Sequence, residues 1–237
     1  MTLAPRQLVF ELPHRSALAA EDFLVSRSSS AAVELVDAWP SWPHWAAVVQ
    51  GPEGSGKSHL ANVWRLKSDA ALIAAAAFDD AALPVLERHK ALLVEDLHEG
   101  VRDQRSLFHA LNLAREHKLS ILITSRLAPG EIEFTLPDLR SRLRALPLVP
   151  IAPPDDGLLQ AVLVKLFADR QLEVEPHVVS YLCRHMERSM QAASRIVADV
   201  DRLALVMQRK VTRAIAAAAL QALNGTRGAG EEEGEDI

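Results

Sequence analysis

The chain has 237 residues, 49% of them hydrophobic, and a formal net charge of −5; that suffices for one medium domain, or a core domain with a smaller partner. The longest unbroken apolar run, Ala70 to Phe78, is far too short to span a membrane, and the N-terminus "MTLAPRQLVFEL" lacks the basic, apolar and small-residue blocks of a secretion signal. A cytoplasmic protein without membrane contact is expected. Cys183 is the one cysteine, which excludes an intrachain disulfide framework and reads as a core residue, and the nine histidines show no metal-ligand spacing.

Five acids, Glu231, Glu232, Glu233, Glu235 and Asp236, crowd the C-terminal "EEEGEDI", and without them the body is close to neutral. Broad, charge-driven binding to nucleic acid is therefore disfavoured.

In chain order, the first patterned stretch is "QLVFEL", Gln7 to Leu12. Its residues alone read as an N-terminal strand or a tail packed on the body through Leu8, Val9, Phe10 and Leu12. Next comes "WAAVV", Trp45 to Val49, a continuous apolar run of the kind expected of a strand buried on both faces. It leads into "GPEGSGKSH". Gly51, Gly56, Lys57 and Ser58 fit G-x-x-x-x-G-K-[ST], with Pro52, Gly54 and Ser55 completing the turn and His59 following. Backbone N–H groups of such a loop wrap the α/β-phosphates, the lysine reaches the β/γ-phosphates, and the serine hydroxyl binds Mg²⁺. The helix that starts near Lys57 adds its positive dipole end, and Leu60, Val63 and Trp64 carry its spacing.

"DAALIAAAAF", "KALLVED" and "LSILITS" supply three more strands and "RALPLV" a fifth; their alternation with helical patterns marks a parallel α/β sheet. Between the third and fourth, "DQRSLFHALNLAREHK" sets Leu107, Phe108, Leu111 and Ala114 on one face of a crossover helix. The third strand ends in Glu95 and Asp96. Phosphoryl chemistry uses one carboxylate there to hold Mg²⁺ and often another to position the attacking water. The fourth ends in Thr124, Ser125 and Arg126, polar groups expected to reach the terminal phosphate.

Pro147, Pro150, Pro153 and Pro154 then mark a boundary, after which no strand-like run occurs. Four helices follow. Leu159, Val162, Leu163, Leu166 and Phe167 face one way in the first, and Pro176 opens the second. Met190, Ala193, Ile196, Val200, Leu203 and Met207 space the third, while the fourth has Thr212 as N-cap and Gly225 just past its end. The remaining tail reads as disordered and solubilising.

At this point "GPEGSGKSHL", "LLVED", "ILITSR" and "LPDLRSRL", followed by a four-helix lid, resemble the AAA+ ATPases of the DnaA clade. Within the clade the chain is most similar to the Hda-type regulatory inactivators of the replication initiator, over about Glu21 to Asn224. The resemblance implies a P-loop AAA+ α/β core with a five-stranded parallel sheet at 21–152 and a small helical lid at 153–225. Residues 1–20 become a clamp-binding segment and 226–237 a disordered acidic tail. It also implies that Gln7, Leu8, Phe10 and Leu12 bind the DNA polymerase sliding clamp, with apolar anchors in a preformed groove. Nucleotide binding, ADP or ATP with ADP favoured, falls to Gly51, Pro52, Gly54, Ser55, Gly56, Lys57, Ser58 and His59. Mg²⁺ falls to Ser58, Glu95 and Asp96, and the catalytic roles to Asp96 and to Arg142, an arginine finger acting in trans on DnaA. No helix-turn-helix follows the lid, so DNA is expected only indirectly, through the clamp; a homo-oligomer is compatible.

The chain departs from the family at three positions. Glu95 stands where the family has Asp, Arg126 falls on the sensor-1 position, and Gln191 on the sensor-2 arginine of the lid, with Arg188 and Arg195 nearby. The expected function is a regulator of replication initiation that reads a nucleotide and stimulates hydrolysis by DnaA, with little turnover of its own. The alternatives are an autonomous AAA+ ATPase, such as a helicase loader or remodelling factor, and a scaffold that keeps the fold without the nucleotide.

Overall fold

A computed structural model describes residues 29–231. The segment Gln7 to Leu12 and the acids beyond Glu231 lie outside the described residues. Five strands form one parallel sheet: β1 (Ala46–Gln50), β2 (Ala71–Ala74), β3 (Ala91–Glu95), β4 (Ser120–Ser125) and β5 (Leu148–Pro150), in spatial order β2-β3-β4-β1-β5. Five helices flank it: α1 (Ser30–Ala38), α2 (Lys57–Ser68), α3 (Ala82–His89), α4 (Gln104–His117) and α5 (Pro137–Arg144).

Side chains alternate across the pleat, and both faces of the central strands are apolar, as a parallel sheet with helices on each side requires. Ala46, Val48, Leu92, Val94, Ile121 and Ile123 pack with Leu86, Leu107, Leu111, Leu139 and Leu143 of α3, α4 and α5. Ala47, Val49, Ala91, Leu93 and Leu122 pack on the other face with Val36 of α1 and Leu60 and Trp64 of α2. A fully buried side chain of this size contributes roughly 1.5–3 kcal/mol. The sheet is thus a middle layer held from both sides.

Two strands are shorter than the apolar runs that predict them. "DAALIAAAAF" is a strand only at Ala71–Ala74, after which Ala75–Ala77 form a 3-10 turn. Alanine has little strand preference, and the backbone of this segment bonds to Arg102 and Asp103 ahead of α4. "RALPLV" contracts to Leu148–Pro150 because Arg144 completes α5 and Pro147 has no N–H to give. "LPDLRSRL" is itself helical, with Pro137 in the first turn and Leu139 and Leu143 buried. α1 is not among the elements read from the sequence. It buries Ala32, Val33 and Val36 and leads to Trp39 and Trp42, which meet Trp64 edge-on at 6.4 Å and stacked at 5.4 Å.

The four helices after the proline-rich boundary are α6 (Asp156–Asp169), α7 (Pro176–His185), α8 (Met190–Met207) and α9 (Arg213–Glu231). They enclose their own core, centred on Leu159, Leu163, Phe167, Val179, Leu182, Ile196, Val200, Ile215 and Ala219. Asp155 caps α6 through the Leu158 N–H, and Ser189 caps α8 through the Ala192 N–H. Thr212 accepts from the Ile215 N–H at 3.4 Å. Cys183 is buried here, and burial, then the Asp156 charge, push its thiol up to about 11, so it stays neutral as a packing residue. Two details differ from the sequence reading. Met207, expected on the buried face, is half-exposed, and α9 runs through Gly225 to Glu231, into the segment assigned to a disordered tail. This stretch includes Gly225, Gly228 and Gly230, each costing about 1 kcal/mol relative to alanine, and it continues a helix begun by the strongly helix-favouring "AIAAAALQAL". No helix among the described residues is long and apolar enough to cross a membrane.

Trp64 is fully buried, yet its indole N–H has no hydrogen-bond partner among the described residues. Trp64→Ala is expected to destabilise the fold by about 3–5 kcal/mol. Trp64→Phe is expected to cost clearly less, because it also deletes an unpaired buried donor. Thermal melts of the two variants check the order; equal losses would contradict it.

Candidate functional site

The C-terminal ends of β1, β4 and β3 lie side by side, with β4 in the middle. The loop 51–56 therefore sits one strand away from Glu95 and Asp96, and the end of β4 stitches the two together. The Gly51 N–H donates to the Ser125 carbonyl at 3.1 Å, and the Asp96 N–H donates to Thr124 Oγ1 at 3.1 Å. On the other side of β1 the Ile151 N–H donates to the Gln50 carbonyl at 2.7 Å. Open α/β sheets bind ligands at this carboxyl edge.

Two loop glycines are required by space. A Cβ on Gly51 would meet the Ile151 carbonyl oxygen, and one on Gly54, whose φ is +68°, would meet the Ser189 Cβ at the start of α8. The lid thus touches the loop directly. The Met190 N–H, one of the donors at the α8 N-terminus that the helix leaves unbonded, donates to the Gly54 carbonyl at 2.8 Å.

Lys57 is buried, and its ammonium donates to the Pro52 carbonyl at 2.7 Å. Burial, then the Arg126 charge, hold it below the usual lysine range, while Asp96 and Glu53 act the other way. Ser55 Oγ is buried without a hydrogen-bond partner among the described residues. A recessed cation and an orphaned hydroxyl beside the N-terminus of α2 suit a polyanion. Ser58 and His59 are exposed on the first turn of α2. These residues fit a nucleotide polyphosphate.

Glu95 and Asp96 are both partly exposed. Burial, then the Asp96 charge, push the Glu95 carboxyl above the usual range, and Arg65 opposes this. Asp96 has φ 57°, a left-handed conformation tolerated by Asp and typical of functional turns. Among the described residues no group of three or more His, Cys, Asp or Glu forms a metal cluster. Mg²⁺ held by one or two of these carboxylates and Ser58 would take its other ligands from phosphate and water.

The trio at the end of β4 divides. Thr124 and Ser125 are fully buried, and their hydroxyls serve the Asp96 N–H and, at 2.6 Å, the Leu127 carbonyl, so they do not reach toward a terminal phosphate as expected. Arg126 alone extends outward, and it pairs with Glu53 at 2.9 Å. Gln191, in the amide orientation its neighbours require, donates to Glu53 Oε1 at 3.2 Å and accepts from Arg195 at 2.8 Å. Arg188 is committed to Asp156 at 2.7 Å. Sequence reading missed Glu53, the one charged residue before the lysine in the loop pattern. It also missed His98, whose Nδ1 accepts the Arg126 N–H at 3.3 Å and lies 3.9 Å from Asp96.

Arg142 lies apart from this cluster, on α5. Its guanidinium donates to Asn112 Oδ1 at 2.8 Å and sits 6.0 Å from the Phe108 ring, both on α4. Arg140 is exposed, and Arg144 donates to the Gly130 carbonyl.

The family model described as the Hda lid domain matches residues 156–215, from the start of α6 into α9. Over 135 residues the chain is 28% identical to the chromosomal replication initiator protein DnaA of Cutibacterium acnes, a match covering 56% of this chain and 27% of the initiator. Domain III of the Thermotoga maritima replication initiation protein DnaA has the same fold, with TM-score 0.72 at 17% identity, over 85% of this chain and 95% of that one. AMPPCP-bound DnaA from Aquifex aeolicus superposes with TM-score 0.63 at 20% identity, over 74% of this chain and 62% of that one. The lid helices thus match the Hda lid-domain model, and core and lid together have the fold of DnaA domain III: the chain is similar to the Hda-like AAA+ proteins of the DnaA clade.

Proposed function

We propose that the chain is a regulator of replication initiation that binds a nucleotide, with ADP the expected occupant, and promotes ATP hydrolysis by DnaA. The observation that carries this reading is the direct seat of an Hda-type lid on a phosphate loop, through Met190 and Gly54. Gly51, Pro52, Gly54, Ser55, Gly56, Lys57, Ser58 and His59 would hold the nucleotide, and Ser58, Glu95 and Asp96 would hold Mg²⁺. Bound nucleotide supplies the negative charge that Lys57 and the α2 N-terminus face. It also gives the lid a reason to keep one position, which suits a switch.

Own turnover is expected to be low. The carboxylate at 95 is extended by a methylene and holds its proton more tightly than usual, and the amide Gln191 stands where a cation would assist charge transfer. Catalysis is instead directed at a partner. Arg142 would serve DnaA as an arginine finger, since a planar guanidinium can contact two oxygens of a phosphoryl group. Gln7, Leu8, Phe10 and Leu12 would dock on the sliding clamp and thereby bring the protein to DNA.

Wild-type protein is expected to melt higher with ADP or ATP, by an amount equivalent to about 2.7 kcal/mol at 100 times Kd. Lys57→Ala should abolish that shift. No shift with either nucleotide at millimolar concentration would favour the nucleotide-free scaffold. Replacing Leu8 and Phe10 with Ala should cost clamp affinity about 2 kcal/mol or more each if they are hot spots, with the melting temperature unchanged; the opposite pattern would make the segment part of the fold. The decisive assay is single-turnover hydrolysis by ATP-bound DnaA with loaded clamp. Arg142→Ala should lower stimulation by on the order of 10³ while nucleotide and clamp binding persist. Undiminished stimulation would refute the finger, loss with Arg140→Ala instead would move it to that arginine, and sustained turnover without DnaA would point to an autonomous ATPase.

A further inference from the structure

The two positions that the resemblance assigns to the terminal phosphate, 126 and 191, both engage a single carboxylate of this chain. Glu53, inside the phosphate loop, pairs with Arg126 at 2.9 Å and accepts from Gln191 at 3.2 Å, and Gln191 in turn accepts from Arg195. A cavity of about 350 Å³ borders this chain of contacts, lined by Glu53, Ser189, Gln191 and Arg195 among others. The loop therefore carries its own anion at the place where a cation from β4 and an amide from the lid converge.

We propose that Glu53 sets the discrimination between nucleoside di- and triphosphates, by holding Arg126 away from a third phosphate and so favouring the diphosphate; this rests on the nucleotide reading of the loop. Arg126 lies in the field of the loop lysine, whose charge it opposes, and Glu53 and Asp96 act on the same lysine with the opposite sign. All four groups thus share the region that serves the β/γ-phosphates in loops of this pattern. Arg126 can direct its planar fork at one anion at a time. With a diphosphate, the Glu53–Arg126 pair stays intact and no further negative charge arrives. With a triphosphate, either Arg126 turns from Glu53 and leaves that carboxylate beside an added negative charge, or it stays and the phosphate goes without a guanidinium. Both outcomes penalise the triphosphate relative to the diphosphate. The pair's side chains are 45% and 57% exposed, so it contributes little to fold stability. Its effect lies in the competition.

Glu53→Gln keeps the length and an oxygen for Gln191 and removes only the charge. Titration calorimetry of the full chain with ADP and with ATP, both with Mg²⁺, gives the ratio of the two dissociation constants. Wild type should favour ADP, and Glu53→Gln should move the ratio toward ATP by about tenfold, the scale of one charge-assisted hydrogen bond. In an Arg126→Gln background the same substitution should move it by less than about twofold, since no guanidinium remains to be released. An unchanged ratio in Glu53→Gln overturns the proposal, and so does a shift of full size without Arg126, which would mark simple repulsion. Glu53→Ala repeats the test should the glutamine disturb the loop, with melting temperatures reporting the fold. If wild type binds neither nucleotide, the nucleotide reading itself fails, an outcome distinct from binding both with an unaltered ratio.

Discussion

The structure depends on β4 lying between the two strands that carry the chemistry. The phosphate loop leaves β1 and the acidic pair leaves β3, and these strands are not neighbours. Their relative position is set by Thr124 and Ser125, which are fully buried and give their polar atoms to the chain on each side. Buried polar groups that are paired rigidify their surroundings, because losing a partner costs the whole desolvation of the other. A substitution at Thr124 would therefore act on the acidic pair without touching any ligand.

Much of this was legible in the sequence. The loop is a literal spacing of residue types, and strands buried on both faces appear as unbroken apolar runs, as in "KALLVED". The lid helices announced themselves through threes and fours, through Pro176 at the start of α7 and through Thr212 ahead of α9. Ambiguity arose where one residue type suits several states. The alanines after Ala74 could extend a strand and instead make a 3-10 turn, while Gly225 could end α9 and instead lies within it. Thr124 and Ser125 looked like phosphate ligands because strand position does not reveal which hydroxyls the backbone itself needs.

The Glu53 cluster was illegible for a different reason. Its members come from residues 53, 126 and 191, three segments brought together only by the sheet and by the docking of the lid. Sequence resemblance could name positions 126 and 191 as unusual, but not the shared partner that makes the two departures one arrangement. Arg142 presents the converse case. Its motif was evident, and the structure adds that the side chain is held by Asn112 and Phe108, so a partner would have to draw on a guanidinium whose direction is already set.

The seat of α8 on Gly54 has a mechanical consequence. The bond joins backbone to backbone, so ordinary side-chain variation cannot remove it. It also fixes one end of a helix of 18 residues, about 27 Å long. Such a helix acts as a pointer: a tilt of 10° at the loop would sweep its far end through about 5 Å. That far end bears Leu205 and Val206, 77% and 76% exposed. A shift of the loop backbone that tilted α8 would therefore move an apolar surface at the far end of the helix.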